Sequence, residues 1–242
     1  MNRELRIKIS PSEPHRLEGE VTLRDIILGG QDGLVNVLGL LLGIAVASGD
    51  LRIILAAGFA GGIANSISMA AVAYTSTRAQ QSLYESEVEK ERLEIRETPE
   101  AEREEIRELY RQKGFSGKLL DEVVEKVTSN EQVWLDEMVK SELGLQPVKT
   151  KKALISSGVV GLAAVVGSLI PLLPFIFLPL LRISINNAIW ISLVIGALVL
   201  FLMGVYKAKT TTGDWRKAGA EIAMIGIVSA LVGYFIGYLF KV

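Results

Sequence analysis

The sequence predicts an all-α membrane protein that crosses the bilayer five times and carries a cytoplasmic helical insert between its second and third spans. Three observations carry that prediction. Half of the 242 residues are hydrophobic, and they gather into five runs of roughly 20 residues or more, the length a helix needs to cross hydrocarbon. Of the 27 acidic residues, 18 fall between Thr77 and Lys152, so charge suited to water is confined to one stretch. The apolar runs are also rich in Gly, Ala and Ser, which lets helices touch backbone to backbone in lipid.

Composition excludes other classes. The net charge is −1, so no basic field argues for nucleic acid as a partner. There is no Cys, which removes disulfides, zinc–thiolate sites and thiol catalysis. The only histidine, His15, lies in a polar N-terminal segment, so a His-rich metal site and a Ser-His-Asp triad both lack their imidazoles. A ferritin-like di-iron enzyme needs Glu-x-x-His pairs, and the insert has none. The expectation is a protein that is not an enzyme and holds no prosthetic group.

In chain order, residues 1–24 read as a polar arm, in which Pro11 and Pro14 discourage a helix. The arm has no apolar stretch of the kind a signal peptide carries. Residues 25–76 hold the first two spans, Ile26 to Ser48 and Leu51 to Ser76, joined by a Gly49-Asp50 turn. Gly39 with Gly43, and Gly58 with Gly62, form small-xxx-small pairs, which alone are weak evidence for a dimer.

Residues 77–152 form the insert. Gln80 to Glu97 has helix-forming composition. Thr98 and Pro99 read as an N-cap followed by proline at the first helical position, and Gly114 as the stop. Ser116 and Asn130 read as caps of two further helices. The first of these presents Leu119, Leu120, Val123, Val124 and Val127 as an apolar face, and Gly144 ends the second. Residues 153–242 hold spans three to five, Ala153 to Leu178, Ile185 to Tyr206 and Ala220 to Phe240. Pro171 and Pro174 are expected to break or kink the third.

Lys and Arg accumulate on the side shared by the arm, the insert and the 207–217 loop. The positive-inside rule makes that side cytoplasmic. No organellar sorting signal is visible, and a prokaryotic inner membrane is the expected location.

Asp32 is the residue that asks for a function. An ionised carboxylate inside an apolar span costs on the order of 3 kcal/mol or more, and a chain that keeps one has a cation or proton for it to handle. The structural alternative is an acid near the water interface that only caps or bonds a neighbouring helix. In the second span Met69 is packing material unless it approaches Asp32, where its thioether could become a ligand.

In the insert, Glu87, Glu91 and Glu94 fall on one helical face, Glu102 and Glu105 on another, and Glu142 lies four residues after Met138. Carboxylates at such spacing can converge on a divalent cation, and a thioether shifts preference towards Fe²⁺. Spacing leaves a second reading open, a solvated face neutralised by Arg92, Arg96, Arg103 and Arg107, and charge runs usually take that form.

The pieces QDGLVNVLGLLLG, NSISMA, SELGL and GSLIPLLPF together resemble the vacuolar iron transporter family, the VIT or CCC1-like proteins, over nearly the whole chain. The resemblance implies a five-helix homodimer that exports cytosolic Fe²⁺ in exchange for protons, along a path at the dimer interface between the first two spans. It implies that Asp32 and Met69 line that path, and that Glu91, Glu94, Glu102, Glu105, Met138 and Glu142 bind metal. Mn²⁺, Co²⁺ and Zn²⁺ stay open beside Fe²⁺.

Three departures bear on metal preference and proton coupling. Val72-Ala73-Tyr74 stands where a Gly-Glu-aromatic motif is usual, so the acid is missing at Ala73. Asn36 stands for Thr, and Val139 for a second Met. The alternative function is a membrane-anchored protein that binds or senses metal without moving it.

Overall fold

The computed structural model describes residues 17–144, 150–210 and 213–241, with side chains from residue 23 onward apart from 142 and 150–152. His15 and the first 16 residues of the arm lie outside that range. The described elements are all helical: α1 (Leu17–Ser48), α2 (Leu51–Glu97), α3 (Pro99–Gln112), α4 (Gly117–Thr128), α5 (Glu131–Glu137), a π-helical turn (Met138–Glu142), α6 (Thr150–Ile176), α7 (Leu178–Leu181), α8 (Ile185–Thr210) and α9 (Trp215–Leu239). Among the described residues, five helices are long and apolar enough to cross a membrane. The protein is therefore an all-α polytopic membrane protein. It divides into two compact units, Met1–Ala73 with Ile155–Val242, and Tyr74–Leu154.

The membrane unit is built around α1. Leu34, Val37, Leu38, Leu41 and Leu42 are almost fully buried and join Ile54, Leu172, Phe175, Ala188, Leu200, Ile222 and Ala230 in one apolar core. One helix can meet several neighbours only if small residues let them close in. Towards α6, a Cβ at Gly33 would sit 2.2 Å from the carbonyl oxygen of Ala164, and one at Gly167 would sit 2.2 Å from that of Gly30. Towards α9, a Cβ at Gly233 would lie 2.0 Å from the carbonyl oxygen of Gly39. Gly39 and Gly43 are thus spent within the protomer, against α9, and Gly58 and Gly62 face Leu41, Leu172, Val37 and Ser168. Neither pair has to be explained by a dimer.

The outer faces are apolar, with Leu162, Val166, Val194, Leu198, Leu231 and Phe235 all exposed, as lipid-facing surfaces are.

The structure differs from the sequence expectations at four joints, one of them Ser116, whose side chain makes no cap hydrogen bond to α4. α1 starts at Leu17, so the last eight residues of the arm are helical. α6 runs unbroken through Pro171 and Pro174 and ends at Ile176. The break comes after the prolines, where α7 ends on Arg182 in the left-handed region (φ 53°). Membrane helices tolerate proline, and the Ser192 hydroxyl ties α8 to this stretch of α6 by donating to the carbonyl of Pro171 at 2.8 Å. Thr98 does not cap α3: its hydroxyl donates backwards to the carbonyl of Glu94 at 3.1 Å, because one residue joins α2 to α3 and α2's last turn needs a donor.

The insert unit combines α3, α4, α5, the π turn and the part of α2 from Tyr74 onward. Asn130 caps α5 as expected, accepting from the amides of Gln132 and Val133. Ile95, Ile106, Leu120, Val124, Trp134, Leu135, Met138 and Val139 form its core. Leu119, placed on that face by periodicity, is exposed instead.

Candidate transport site and metal-binding insert

In the membrane unit the α1–α2 hairpin brings Asp32 to Asn65. The Asn65 amide nitrogen donates to Asp32 Oδ2 at 2.8 Å, and the Asn36 amide nitrogen donates to Asn65 Oδ1 at 3.2 Å. Asp32 is half-buried and Asn36 exposed. Met69, also half-buried, lies four residues after Asn65 and so one turn along the same face of α2. Asn65 was quoted within the NSISMA motif but had no role in the sequence reading. A polar amide at that spacing was the only signal, and nothing in one helix shows what its neighbour offers. Asp25 was missed as well. It is 6% exposed and two turns before Asp32, so it falls near the same side of α1.

In the insert unit, the acids sort into two groups. The arginines turn to outer acids: Arg92 pairs with Glu89, Arg96 with Glu131, and Arg107 with Glu104 and Asp121. Among the described residues Glu94 pairs only with Lys90, at 3.6 Å and well exposed, a pairing of little strength. None of the arginine pairs described involves Glu102 or Glu105.

Glu91 on α2 and Glu102 on α3 are 4% and 5% exposed, and their carboxyls hydrogen-bond each other. Two carboxyls can do so only by sharing a proton. Burial raises the Glu102 pKa, and the charges of Glu105 and Glu94 add to the rise. The bond to Glu91 and the charge of Lys90 oppose it. Oε2 of Glu102 is buried with no hydrogen-bond partner among the described residues, a state that costs about 1–3 kcal/mol unless some cation or water meets it. As arranged, no three of the described acidic or His side chains converge closely enough to hold a metal ion.

Met138 is fully buried at the first position of the π turn. Its core neighbours include Ile95 and Ile106, each one turn beyond Glu91 and Glu102 on their helices. Glu105 is exposed and Glu94 half-buried. The side chain of Glu142 lies outside the described residues. The π turn, which periodicity could not reveal, is of a kind frequent at functional sites.

It is held by Glu137, which accepts from Lys113 at 2.8 Å and from Ser141 at 2.7 Å. Burial alone would raise the Glu137 pKa, but the bonds from Lys113, Ser141 and Tyr110 outweigh it and lower the value.

The raised Glu102 pKa sets a pH dependence. A group whose pKa is raised on folding stabilises the fold below its unfolded pKa, and that stability is lost as pH rises through the folded value. Without metal, the protection factors of the Ile95 and Ile106 amides in the full-length protein, corrected for intrinsic base-catalysed exchange, are therefore expected to fall as pH climbs out of the ordinary carboxylate range. Glu102→Gln is expected to flatten that dependence. An unchanged slope in the variant would show that the shared proton does not matter.

The VIT family model matches residues 23–238. "Vacuolar iron transporter 2" of Oryza sativa subsp. japonica is 33% identical over 92% of this chain and 89% of its own length. "Vacuolar iron transporter 1" of Arabidopsis thaliana is 34% identical over 92% and 87%, and "Protein CCC1" of Saccharomyces cerevisiae 24% identical over 88% and 67%. Those vacuolar names lend no support to the expected prokaryotic inner membrane. A match that runs from α1 to α9, with relatives above 30% identity along most of it, means that the chain belongs to the VIT family.

Proposed function

We propose that the protein transports a divalent transition metal, Fe²⁺ first, out of the cytosol in exchange for protons, through a path between α1 and α2 of two copies. The observation that carries the reading is Asp32, a carboxylate on the innermost helix of the membrane unit, held by a neighbouring amide rather than by a cation. A carboxylate inside the membrane is expensive, and a passing divalent ion supplies counter-charge.

The names of the relatives support iron as cargo. A homodimer is supported by Asn36, a polar amide exposed on α1 where the neighbouring exposed residues are apolar. The insert, on the cytosolic side, gathers metal with Glu91, Glu94, Glu102, Glu105, Met138 and Glu142. Metal and proton compete for the same oxygens, so loading the insert displaces the proton shared by Glu91 and Glu102. Metal passes to Asp32 and Met69, and protonation on the more acidic far side releases it.

The test is uptake of Fe²⁺, Mn²⁺, Co²⁺ and Zn²⁺ into proteoliposomes, with and without a pH gradient. Fe²⁺ uptake driven by the gradient is expected. A protein that binds metal in the insert but moves none of the four would instead be a membrane-anchored metal-binding protein.

A further inference from the structure

Asp32, Asn65 and Asn36 form a chain whose polarity is fixed by chemistry. An ionised carboxylate can only accept, so it takes the Asn65 amide nitrogen at 2.8 Å. The Asn65 oxygen is then left to accept from the Asn36 nitrogen at 3.2 Å. Each member spends one end on the next. Asp32 keeps Oδ1 outside the chain, and Asn36 keeps its amide oxygen. Asp32 and Asn36 are four residues apart on α1, hence on one face with Cβ atoms about 5–6 Å apart. That separation lets two side-chain oxygens reach one cation.

We propose that Asn65 is a positioning residue for Asp32, and that Asn36 determines specificity by adding an amide oxygen to the carboxylate. The pair adds oxygen ligands beside the Met69 thioether, which shifts the step towards hard ions and admits Mn²⁺ beside Fe²⁺. The inference rests on reading Asp32 as part of the metal path.

The alternative role, a polar tie between two helices, predicts changes in stability and none in ion preference. The experiment compares initial rates of Fe²⁺ and Mn²⁺ uptake by the full-length protein in proteoliposomes for the parent, Asn65→Ala, Asn65→Ser and Asn36→Leu. Loss of the Asn65 amide is expected to raise KM for both ions about tenfold, as loss of a ligand's hydrogen-bond partner does. Serine, which keeps a donor, is expected to recover part of it. Asn36→Leu is expected to lower Mn²⁺ uptake about tenfold more than Fe²⁺ uptake.

An unchanged KM in a folded Asn65→Ala protein would overturn the positioning role. An unchanged Mn²⁺ to Fe²⁺ ratio in Asn36→Leu would overturn the specificity role. If Asn65→Ala fails to fold, Asn65→Ser decides the positioning role, because the proposal requires its KM to lie above the parent's. If the parent moves neither ion, the transport reading itself fails. If the parent transports, Asp32→Ala does not and the asparagine variants match the parent, only this inference fails.

Discussion

Asp32→Ala is expected to stop metal uptake while leaving the protein folded. The side chain is half-buried on α1, and its hydrogen bond to Asn65 is the contact the structure describes for it. Removing it creates little cavity, because Gly29, Gly30 and Gly33 around it are already committed to α6 and α8. What disappears is the carboxylate on which the proposed path relies. Changes to groups that only support a metal ligand cost roughly 10–100-fold in affinity or activity, so removing a ligand itself is expected to exceed that range.

Asp32→Asn makes the sharper control, because it keeps shape and removes charge. The measurement is initial Fe²⁺ uptake per milligram of monodisperse protein. Transport by Asp32→Ala at the parent rate would mean that the path lies elsewhere.

Gly33→Ala is expected to impair folding strongly, and Gly158→Ala not at all or to give a slight gain. Both substitutions add the same methyl group to a membrane helix. At Gly33 the new carbon would lie 2.2 Å from the Ala164 carbonyl oxygen and 2.9 Å from Ser168 Oγ. The first obstacle is backbone and cannot rotate away, so α1 and α6 must separate. Separation also breaks the Ser168 hydroxyl bond to the Gly33 carbonyl and opens the packing around Leu34 and Val37. Overpacking of this kind costs about 1–3 kcal/mol or more, a large share of the roughly 5–15 kcal/mol that holds a typical fold.

At Gly158 nothing lies within 4 Å, and alanine in a helix gains about 0.5–1 kcal/mol over glycine. The measurement is the monodisperse fraction and the thermal midpoint in one detergent. Equal midpoints for the two variants would mean that α1 and α6 do not pack as described.

The insert shows how far sequence spacing reaches. It put Glu91 and Glu94 on one face and Glu102 and Glu105 on another, and left open whether arginines neutralise them. Of Arg92, Arg96, Arg103 and Arg107, the expected neutralising groups, three are paired, with Glu89, Glu131, Glu104 and Asp121, and among the described ion pairs none involves Arg103. Arg92–Glu89 and Arg107–Glu104 are i,i+3 pairs that spacing allows, but Arg96–Glu131 and Arg107–Asp121 join different helices, and a single helix's spacing cannot contain those. The burial of Glu91 against Glu102 joins two helices in the same way.

By itself the sequence determined the five apolar helices, the charged insert between the second and third, and local joints such as the Asn130 cap. These rest on the length of apolar runs and on side chains bonding their own backbone, both of which are local. Tertiary structure alone decided which face of α1 meets which helix, that Asn65 answers Asp32, and that Met138 is buried on a π turn. The physical reason is that a helix apolar on nearly every side, as α1 is, carries no stripe to announce its orientation. Its rotation is set by where small residues let a neighbour's backbone come close, and that is settled only when both helices are in place.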